Sequence, residues 1–280
     1  MRTLTIDLNA VAHNLRTIRE RVGETKVMAV VKADAYGHGM IEVARRLEHE
    51  RVDYFGVADL DEAVQLRQAG IKTPILAWLH APNEDFKRAA EHDIELGINS
   101  EEQLNRALTT AAIQGKQLAL HLKVDTGLSR NGVSVDQWPS LVTAAKSAAE
   151  TGHVRIVGVF SHLSSTSTTD DTQQIVRFEM ATALAKVMEL DFEMRHLTAS
   201  DGTLSYPHAA YEMVRIGIAL YGLSPFSDNR GADYDLIPAM TAKSVVVHTK
   251  RVPDNTPVGY GYDHRTVGEA TLALVPVGYA

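Results

Sequence analysis

Residues 26–39, KVMAVVKADAYGHG, join an apolar, β-branched run to a lysine and a glycine-containing turn. The run at 26–31 has no strict polar alternation, which is typical of a strand buried on both faces. Similar apolar runs recur along the chain at residues 54–57, 75–79, 94–98, 118–124, 155–160, 195–198 and 213–221. Helical patterns occupy several of the intervals, at residues 39–50, 60–69, 172–190 and after a good N-cap at Ser100. Strands that alternate with helices in this way predict an α/β fold, a (β/α)₈ barrel of the TIM type.

The alternation ends around residues 224–234, where the segment SPFSDNRGADYD is rich in turn formers and is interpreted as a linker. Two strand patterns follow, at 240–249 and 270–277, with no helix between them. We therefore predict a barrel domain over 1–225 and the beginning of a C-terminal β domain over 226–280. Because a β domain this short buries little surface, we expect the natural polypeptide to be longer.

Composition excludes several classes of protein. The formal net charge of −7 argues against nucleic acid and anionic membranes as partners. The absence of cysteine excludes disulfides and thiolate metal sites. No apolar run reaches the roughly 18 residues that a membrane span needs, and the N-terminus lacks the apolar core of a signal peptide. We expect a cytoplasmic protein.

Lys32 directly follows five apolar residues at the end of the first predicted strand. In a barrel of this type, catalytic groups lie at the C-terminal ends of strands. Desolvation there lowers the pKa of a lysine, and a neutral amine is what Schiff-base chemistry requires. The alternative interpretation is an ordinary lysine at a strand terminus.

Other predicted strands also end in polar residues. The polar residues within these runs or in the segments that follow them are Lys123, Asp125, Arg130, His162, Ser200 and Arg215. Gly217 and Ile218 come shortly after Arg215. Each alone has a structural explanation, such as a core histidine for His162 or a loop cap for Asp125. Together they place several cations around one barrel mouth, which indicates an anionic ligand such as a phosphate ester. Small residues near the ends of late strands are a common phosphate cradle.

Five segments, in this order, resemble the alanine racemase family: AVVKADAYGHG, KVDTGLSRNG, GVFSHLSS, MVRIGIALYGLSP and VGYGYDHRT. The resemblance implies a barrel followed by a β domain, in a head-to-tail homodimer whose active sites are each completed by the partner's β domain. It implies interconversion of L-alanine and D-alanine with pyridoxal 5'-phosphate, which supplies D-alanine for the bacterial cell wall.

The resemblance also assigns the two bases. Lys32 is expected to carry pyridoxal 5'-phosphate as a Schiff base and to serve one face of the substrate. Tyr260 of the other subunit is expected to serve the opposite face. His162 is expected between that tyrosine and Arg215, which faces the pyridine nitrogen.

The remaining roles concern cofactor and substrate binding. The resemblance implies four contacts to the phosphate, made by Tyr36, Ser200, Gly217 and Ile218. It places Arg130 beside the phenolic oxygen, next to the substrate. Lys123 is expected to support Arg130, in some members as a carbamate.

The chain departs from the family pattern at several positions. It has Ile216 where proline is frequent, Ala199 where asparagine is frequent and Gly259 where serine is common. The family also continues, beyond the last residues here, to a Met-Asp segment near the substrate carboxylate and a later phosphate-contacting tyrosine. We expect part of the active site to lie outside these 280 residues.

These residue types suit racemisation, which needs a proton removed from one face of Cα and another delivered to the opposite face. A phenol has a pKa of about 10, so Tyr260 needs a neighbouring positive chain, expected from His162 and Arg215, to act near neutrality. Because an arginine does not accept a proton, the pyridine nitrogen facing Arg215 stays largely unprotonated and transamination is disfavoured.

Three alternatives remain at this point. A racemase of broader amino-acid specificity fits the same residues. A decarboxylase of this fold usually has a carboxylate at the pyridine nitrogen and a cysteine near the substrate, whereas this chain has Arg215 and no cysteine. A cofactor-binding protein without turnover is a different class, and the linker and Tyr260 argue against it because they belong to a second domain.

Overall fold

Strand β1 (Arg2–Ile6) and helix α1 (Leu8–Val22) come first in the computed structural model, which describes residues 2–278. Eight further strands form one sheet: β2 (Lys26–Val30), β3 (Tyr54–Val57), β4 (Ile75–Ala77), β5 (Glu95–Ile98), β6 (Leu118–Lys123), β7 (Val154–Phe160), β8 (Met194–His196) and β9 (Met213–Ile216). Their connections contain α2 (Lys32–Gly37), α3 (Met40–His49), α4 (Leu60–Gln68), α5 (Lys87–Glu91), α6 (Glu101–Gln114), α7 (Trp138–Glu150), α8 (Thr168–Val187) and α9 (Ser200–Ser205). Short 3-10 helices span Pro207–Ala209, Ile218–Tyr221 and Gly231–Tyr234.

The large sheet is a nearly closed parallel barrel. Its hydrogen-bonded order is β8-β7-β6-β5-β4-β3-β2-β9, and each pair in that order is parallel. The amide of Arg215 in β9 donates to the carbonyl of Thr198, just beyond β8, at 3.0 Å. The strand residues are mostly buried, because helices cover the outer face and side chains fill the interior. The predicted TIM-type barrel is confirmed.

Side-chain caps start several of the helices at the positions their sequences indicate. Ser100 accepts a hydrogen bond from the amide of Gln103 at 3.3 Å, so the predicted N-cap of α6 is confirmed. Asp59 caps α4 in the same way through the amide of Glu62 at 3.0 Å. Each cap satisfies an amide that the first helical turn leaves unpaired.

Several predicted strands were wrong in extent. Those predicted at 75–79, 195–198 and 270–277 are Ile75–Ala77, Met194–His196 and Ala270–Leu274 in the structure. The run at 213–221 ends as a strand at Ile216, because Gly217 has φ −110° and ψ −94° and a 3-10 turn follows it. The run predicted at 240–249 is two strands, β10 (Met240–Ser244) and β11 (His248–Val252), separated by residues 245–247.

Beyond the barrel lie short antiparallel strands. They are β10, β11, β12 (Pro257–Val258), β13 (His264–Arg265) and β14 (Ala270–Leu274), with a 3-10 turn at Tyr260–Tyr262. Strand β11 pairs with β14, β12 pairs with β13, and β10 pairs with β1 from the other end of the chain. The predicted C-terminal β segment is thus confirmed, and β1 is an unpredicted part of it.

The chain divides into two compact units. One comprises Leu8–Ala239, and the other combines the chain up to Asp7 with the chain from Met240 onward. The predicted domain boundary between residues 225 and 226 stays a prediction. Within residues 2–278, no helix combines the length and apolar character that a membrane crossing requires.

Candidate active site

A cavity of about 440 Å³ opens at the carboxyl ends of the barrel strands. That volume is in the range of pockets that enclose small molecules. Its lining residues are Val30, Lys32, Tyr36, Trp78, Leu79, Lys123, Arg130, Asn131, Phe160, His162, Ala199, Ser200, Asp201, Arg215, Gly217, Ile218 and Pro225. The structure therefore brings together the residues predicted within the barrel to bind the cofactor and the substrate. Asp125 does not line the cavity: its carboxylate accepts the amides of Gly127 and Ser129, both at 3.0 Å, which is the loop cap of the alternative interpretation.

Lys32 begins α2, and the four residues after it have left-handed backbone angles. Residues 33–36 have φ between 51° and 57° and ψ between 35° and 53°, and none of them is glycine. A left-handed turn costs L-residues roughly 1–2 kcal/mol each. Such a segment persists only where the surrounding structure holds it, and it is typical of functional sites.

Two carboxylates hold this left-handed turn. Glu62 accepts the amide of Ala33 on one oxygen at 2.6 Å and the amide of Ala58 on the other at 2.7 Å. Asp34 accepts the amide of Met40 at 2.7 Å, at the start of α3. The residue directly after Lys32 is therefore tied to the N-terminal turn of α4.

Tyr221 supports the turn from its other side. Its hydroxyl donates to the carbonyl of Val30 at 2.9 Å, and its ring lies 4.5 Å from the imidazole of His38 between centroids. The ring of Tyr36 packs on it at 5.0 Å. The backbone is thus held on both sides of Lys32, by a buried hydrogen bond at Val30 and by an exposed one at Ala33.

The amine of Lys32 lies among like charges. Burial, and then the positive charge of Arg130, lower the pKa of Lys32, while the nearby carboxylate of Glu62 opposes the shift. A lowered pKa increases the fraction of neutral amine, the form that reacts with a carbonyl.

Arg215 is buried beneath the cavity and surrounded by acceptors. Its Nη1 donates to the carbonyl of His196 at 2.5 Å, and its Nη2 donates to the carbonyls of Ser161 and Leu197 at 2.6 and 2.8 Å. Burial lowers the pKa of Arg215 to about 9, and the carboxylate of Asp201 partly opposes that shift. A pKa of about 9 keeps the guanidinium charged at neutral pH.

The tautomer of His162 follows from its partner. Nη2 of Arg215 lies 3.0 Å from Nδ1 of His162, and a guanidinium can only donate. Burial, and then Arg215, lower the pKa of His162 to about 2, so the ring is neutral and carries its proton on Nε2. Any positive character that this pair offers to a ligand comes from Arg215 and not from His162.

Lys123 is a third cation on the cavity wall. Burial, followed by Arg215 and Arg130, lowers the pKa of Lys123 to about 7. Its Nζ donates to the side-chain oxygen of Asn131 and lies 5.2 Å from the ring centroid of Phe160. The guanidinium carbon of Arg215 lies 5.7 Å from the same ring centroid, so both cations lie within reach of a cation–π contact with Phe160.

Ser200 and Gly217 form a small polar cradle. Ser200 Oγ accepts the amides of Gly217 and Ala219 at 3.2 and 3.3 Å, so its hydroxyl hydrogen remains available to a ligand. A Cβ at position 217 would lie 2.5 Å from the hydroxyl of Tyr36. Only glycine leaves that hydroxyl room beside the cradle.

Tyr260 lies in the other compact unit. It belongs to the Tyr260–Tyr262 turn, between Gly259 and Gly261, which have φ values of 75° and 74°. Its side chain is 95% exposed. The structure therefore presents this phenol to solvent in the single chain, and its assignment as a base stays a prediction.

Several cavity residues were missed by the sequence analysis. Trp78 follows β4, Phe160 ends β7, and Asp201 directly follows Ser200. The C-terminal ends of strands were the available signal, but apolar side chains there resemble ordinary core residues. Asp201 brings a carboxylate into a cationic cavity, and its oxygen accepts the hydroxyl of Ser165.

The arrangement suits an anionic, phosphorylated ligand that carries a reactive carbonyl. The cations around the cavity are Lys32, Lys123, Arg130 and Arg215. Their charge would favour an anion although the chain as a whole is acidic. A half-buried lysine amine beside a hydroxyl-and-amide cradle provides a covalent attachment point and a phosphate site within one cavity.

Comparisons with known proteins agree with this geometry. The model "Alanine racemase, N-terminal domain" matches residues 6–225, and "Alanine racemase, C-terminal domain" matches residues 239–280. The alanine racemase of Mycobacterium leprae is 42% identical over 278 residues, which are 98% of this chain and 71% of that protein.

Solved structures give the same result. The crystal structure of alanine racemase from Streptomyces lavendulae superposes with a TM-score of 0.94 and 37% identity over 99% of this chain and 74% of that one. The structure of alanine racemase from Bacillus anthracis with bound L-Ala-P gives a TM-score of 0.85 and 30% identity, over 99% and 72% of the two chains.

Proposed function

Because the chain belongs to the alanine racemase family, we propose that it interconverts L-alanine and D-alanine with pyridoxal phosphate attached to Lys32. The observation that carries the proposal is the convergence of Lys32, the cationic wall and the Ser200–Gly217 cradle on one cavity. In the cell this activity would provide D-alanine for the cell wall.

The residues present fit pyridoxal phosphate. The phosphate would contact Ser200, Tyr36, Gly217 and Ile218. The amide of Gly217 already donates to Ser200 Oγ, and an added Cβ at position 217 would displace the hydroxyl of Tyr36. Arg130 would face the phenolic oxygen and Arg215 the ring nitrogen. When bound, the cofactor withdraws electrons from Cα of the amino acid and makes its proton removable.

Lys32 would move the proton on one face of Cα. Its lowered pKa leaves more of the amine neutral, and a neutral amine can accept a proton and later return it. The left-handed turn held by Glu62 fixes the direction from which the amine approaches. Position and pKa thus both suit a general base.

Tyr260 of the partner subunit would move the proton on the opposite face, in a homodimer. Within one chain the phenol is 95% exposed, which leaves it free to enter a cavity of a second copy. His162 carries its proton on Nε2 and can donate it to the phenolate oxygen, which stabilises the ionised base.

Arg215 would control the ring nitrogen. A guanidinium donates and cannot accept a proton, so a nitrogen facing it stays unprotonated. Electron withdrawal by the ring is then weaker, which favours return of the proton to Cα over transamination. Lys123, whose pKa is about 7, would supply the neutral amine that formation of a carbamate beside Arg130 requires.

Lys32→Ala tests the attachment point, with Lys26→Ala at the other end of β2 as its matched control. Lys32→Ala is expected to abolish racemisation and the visible absorption of bound pyridoxal phosphate, because no other amine occupies that position. Lys26 is exposed and lies outside the cavity, so its variant is expected to keep both. Full activity in Lys32→Ala would refute the assignment.

Mixing two inactive variants tests whether Tyr260 acts across subunits. Chains carrying Lys32→Ala and chains carrying Tyr260→Phe are refolded together in equal amounts. Random pairing in closed dimers makes about half of the dimers mixed, and each mixed dimer has one intact site of two, so about a quarter of wild-type activity should return. A mixture that stays inactive contradicts action in trans, and activity of Tyr260→Phe alone excludes it as a base.

A further inference from the structure

A line of buried polar side chains crosses the barrel interior below the cavity. Nη1 of Arg215 lies 3.2 Å from Nδ1 of His196, and Nε2 of His196 lies 2.9 Å from Nδ1 of His121. Nε2 of His121 then lies 2.7 Å from a carboxylate oxygen of Glu95. The line begins at the cavity and ends at the first residue of β5, toward the amino-terminal end of the strands.

The donors in this line run in one direction. Arg215 can only donate, so Nδ1 of His196 accepts and the proton of a neutral His196 is on Nε2. That proton points at Nδ1 of His121, which accepts in turn and carries its own proton on Nε2. The last hydrogen bond therefore ends on Glu95, whose ionised carboxylate has only acceptors.

The opposite direction is incompatible with Arg215. If Glu95 donated a proton to His121, His121 would donate to His196, and His196 would present an N–H at Nδ1 to the guanidinium. Two donors would then face each other in a fully buried position. The same conflict arises if either imidazole becomes doubly protonated, and burial, followed by His121 and Arg215, lowers the pKa of His196 well below its usual value.

Packing holds the two imidazoles in place. Both rings are completely buried. The ring of His196 stacks on Phe160 at 4.9 Å and 3° between planes. Gly158 in β7 provides the space for His121, because a Cβ at that position would overlap the imidazole. The rotamers that join the hydrogen bonds are thus fixed by the surrounding core.

We infer that Glu95, His121 and His196 form a directional hydrogen-bond relay that orients Arg215 and offsets its buried charge, and that Glu95 is therefore a positioning residue for Arg215. The inference rests on the proposed function only in the role it gives Arg215 at the ring nitrogen. Both neutral imidazoles point a lone pair toward the guanidinium. Because hydrogen bonds in series polarise one another, the negative charge of Glu95 makes these lone pairs better acceptors for Arg215.

Other charged and titratable groups face the relay. Burial, and then the charge of Glu95, raise the pKa of Tyr54. Burial lowers the pKa of Arg67, and Glu95 is one of the carboxylates that oppose this shift. Lys123 acts on His196 from the cavity side. Among the groups joined by the relay's hydrogen bonds, Glu95 brings the one negative charge.

Two measurements test the relay without reference to racemisation. Nitrogen NMR of the protein labelled at histidine, with His121 and His196 assigned by substitution, reports which ring nitrogen is protonated. The relay predicts an unprotonated Nδ1 and a protonated Nε2 in both rings. A protonated Nδ1 in either ring overturns it, and this test needs no variant at Glu95 to fold.

The second measurement compares Glu95→Gln with Glu193→Gln, each loaded with pyridoxal phosphate. Both variants remove one negative charge, but Glu193 is exposed and pairs with Arg155 rather than with the relay. A glutamine at 95 can still accept from His121, so only the charge is lost. The pH at which the visible spectrum of the bound cofactor changes should then fall, because Arg215, which stays charged, loses the negative charge that offsets its own, and a less offset positive charge favours the deprotonated form of a neighbouring group.

Glu193→Gln is expected to leave that transition unchanged. Equal transitions in the two variants overturn the charge-offsetting role. If the spectral shift appears but no variant or wild-type protein racemises alanine, the proposed function fails while the relay stands. If racemisation depends on Lys32 and the shift is absent, only the relay fails.

Discussion

Glu62→Gln should disturb the turn that aims Lys32 without altering the cavity wall. Glu62 holds the amides of Ala33 and Ala58 at 2.6 and 2.7 Å, and it does not line the cavity. A glutamine can accept one of the two amides and presents an NH₂ group to the other. The left-handed residues 33–36 then lose part of the support that offsets their backbone strain.

The expected loss of stability follows from these two hydrogen bonds. Hydrogen bonds to a charged group contribute about 1.5–3 kcal/mol each to the free energy of unfolding. Because the site is partly exposed and glutamine retains one acceptor, the expected loss is about 1–3 kcal/mol in total. In a chain of this size each kcal/mol lowers Tm by about 2–4 °C. Glu48→Gln is the matched control, because Glu48 accepts the amides of Lys72 and Thr73 at 2.7 and 2.8 Å in a loop away from Lys32.

The assay is the rate at which pyridoxal phosphate attaches to the cofactor-free protein as a function of pH, followed by visible absorption. In Glu62→Gln the plateau rate should fall about tenfold, because the amine of Lys32 is misplaced. A tenfold fall corresponds to an increase of about 1.4 kcal/mol in the activation free energy of attachment. The midpoint should move to lower pH, because Glu62 opposes the lowering of the pKa of Lys32. Glu48→Gln removes a carboxylate of the same kind and should keep both kinetic values. Wild-type attachment kinetics in Glu62→Gln would refute the reasoning.

Three further predictions concern the cavity. Arg215→Glu should lower racemisation and raise the share of transamination, measured as pyruvate formed per alanine racemised, because a carboxylate favours a protonated ring nitrogen; an unchanged ratio contradicts it. Gly217→Ala should weaken pyridoxal phosphate binding, measured by equilibrium titration, because its Cβ would lie 2.5 Å from the Tyr36 hydroxyl; wild-type affinity contradicts it. Lys123 has a pKa of about 7 when folded and an ordinary value of 10.5, so the unfolded state binds more protons between these pH values and stability rises with pH there. Lys123→Met should flatten that rise in bicarbonate-free denaturation curves.

The barrel could be predicted from the sequence because its strands are buried on both faces. Runs such as 54–57 and 75–79 are apolar without alternation, and helices interrupt them at the spacing that parallel strands require. Polar residues that directly follow those runs, such as Lys32 and His162, had to converge once the strands closed into a barrel. The resemblance then assigned their roles.

What could not be predicted depends on partners distant in sequence. Strand β1 is largely exposed and pairs with β10 more than 230 residues away, so no local pattern marks it. The relay residues Glu95, His121 and His196 lie on three different strands, and each alone resembles an ordinary polar residue in a sheet. The left-handed turn after Lys32 is stabilised by Glu62 and Tyr221, and neither residue is its neighbour in the chain.

The most direct test of the central claim is to incubate the protein, loaded with pyridoxal phosphate, with L-alanine in deuterated water and to measure both enantiomers. If two groups on opposite faces of Cα exchange their protons with solvent, we expect D-alanine to form and to carry deuterium at Cα. The reverse reaction from D-alanine should give the same final mixture. A loaded protein that forms no D-alanine, with Lys32 covalently occupied, would contradict racemisation and identify a cofactor-binding protein without turnover.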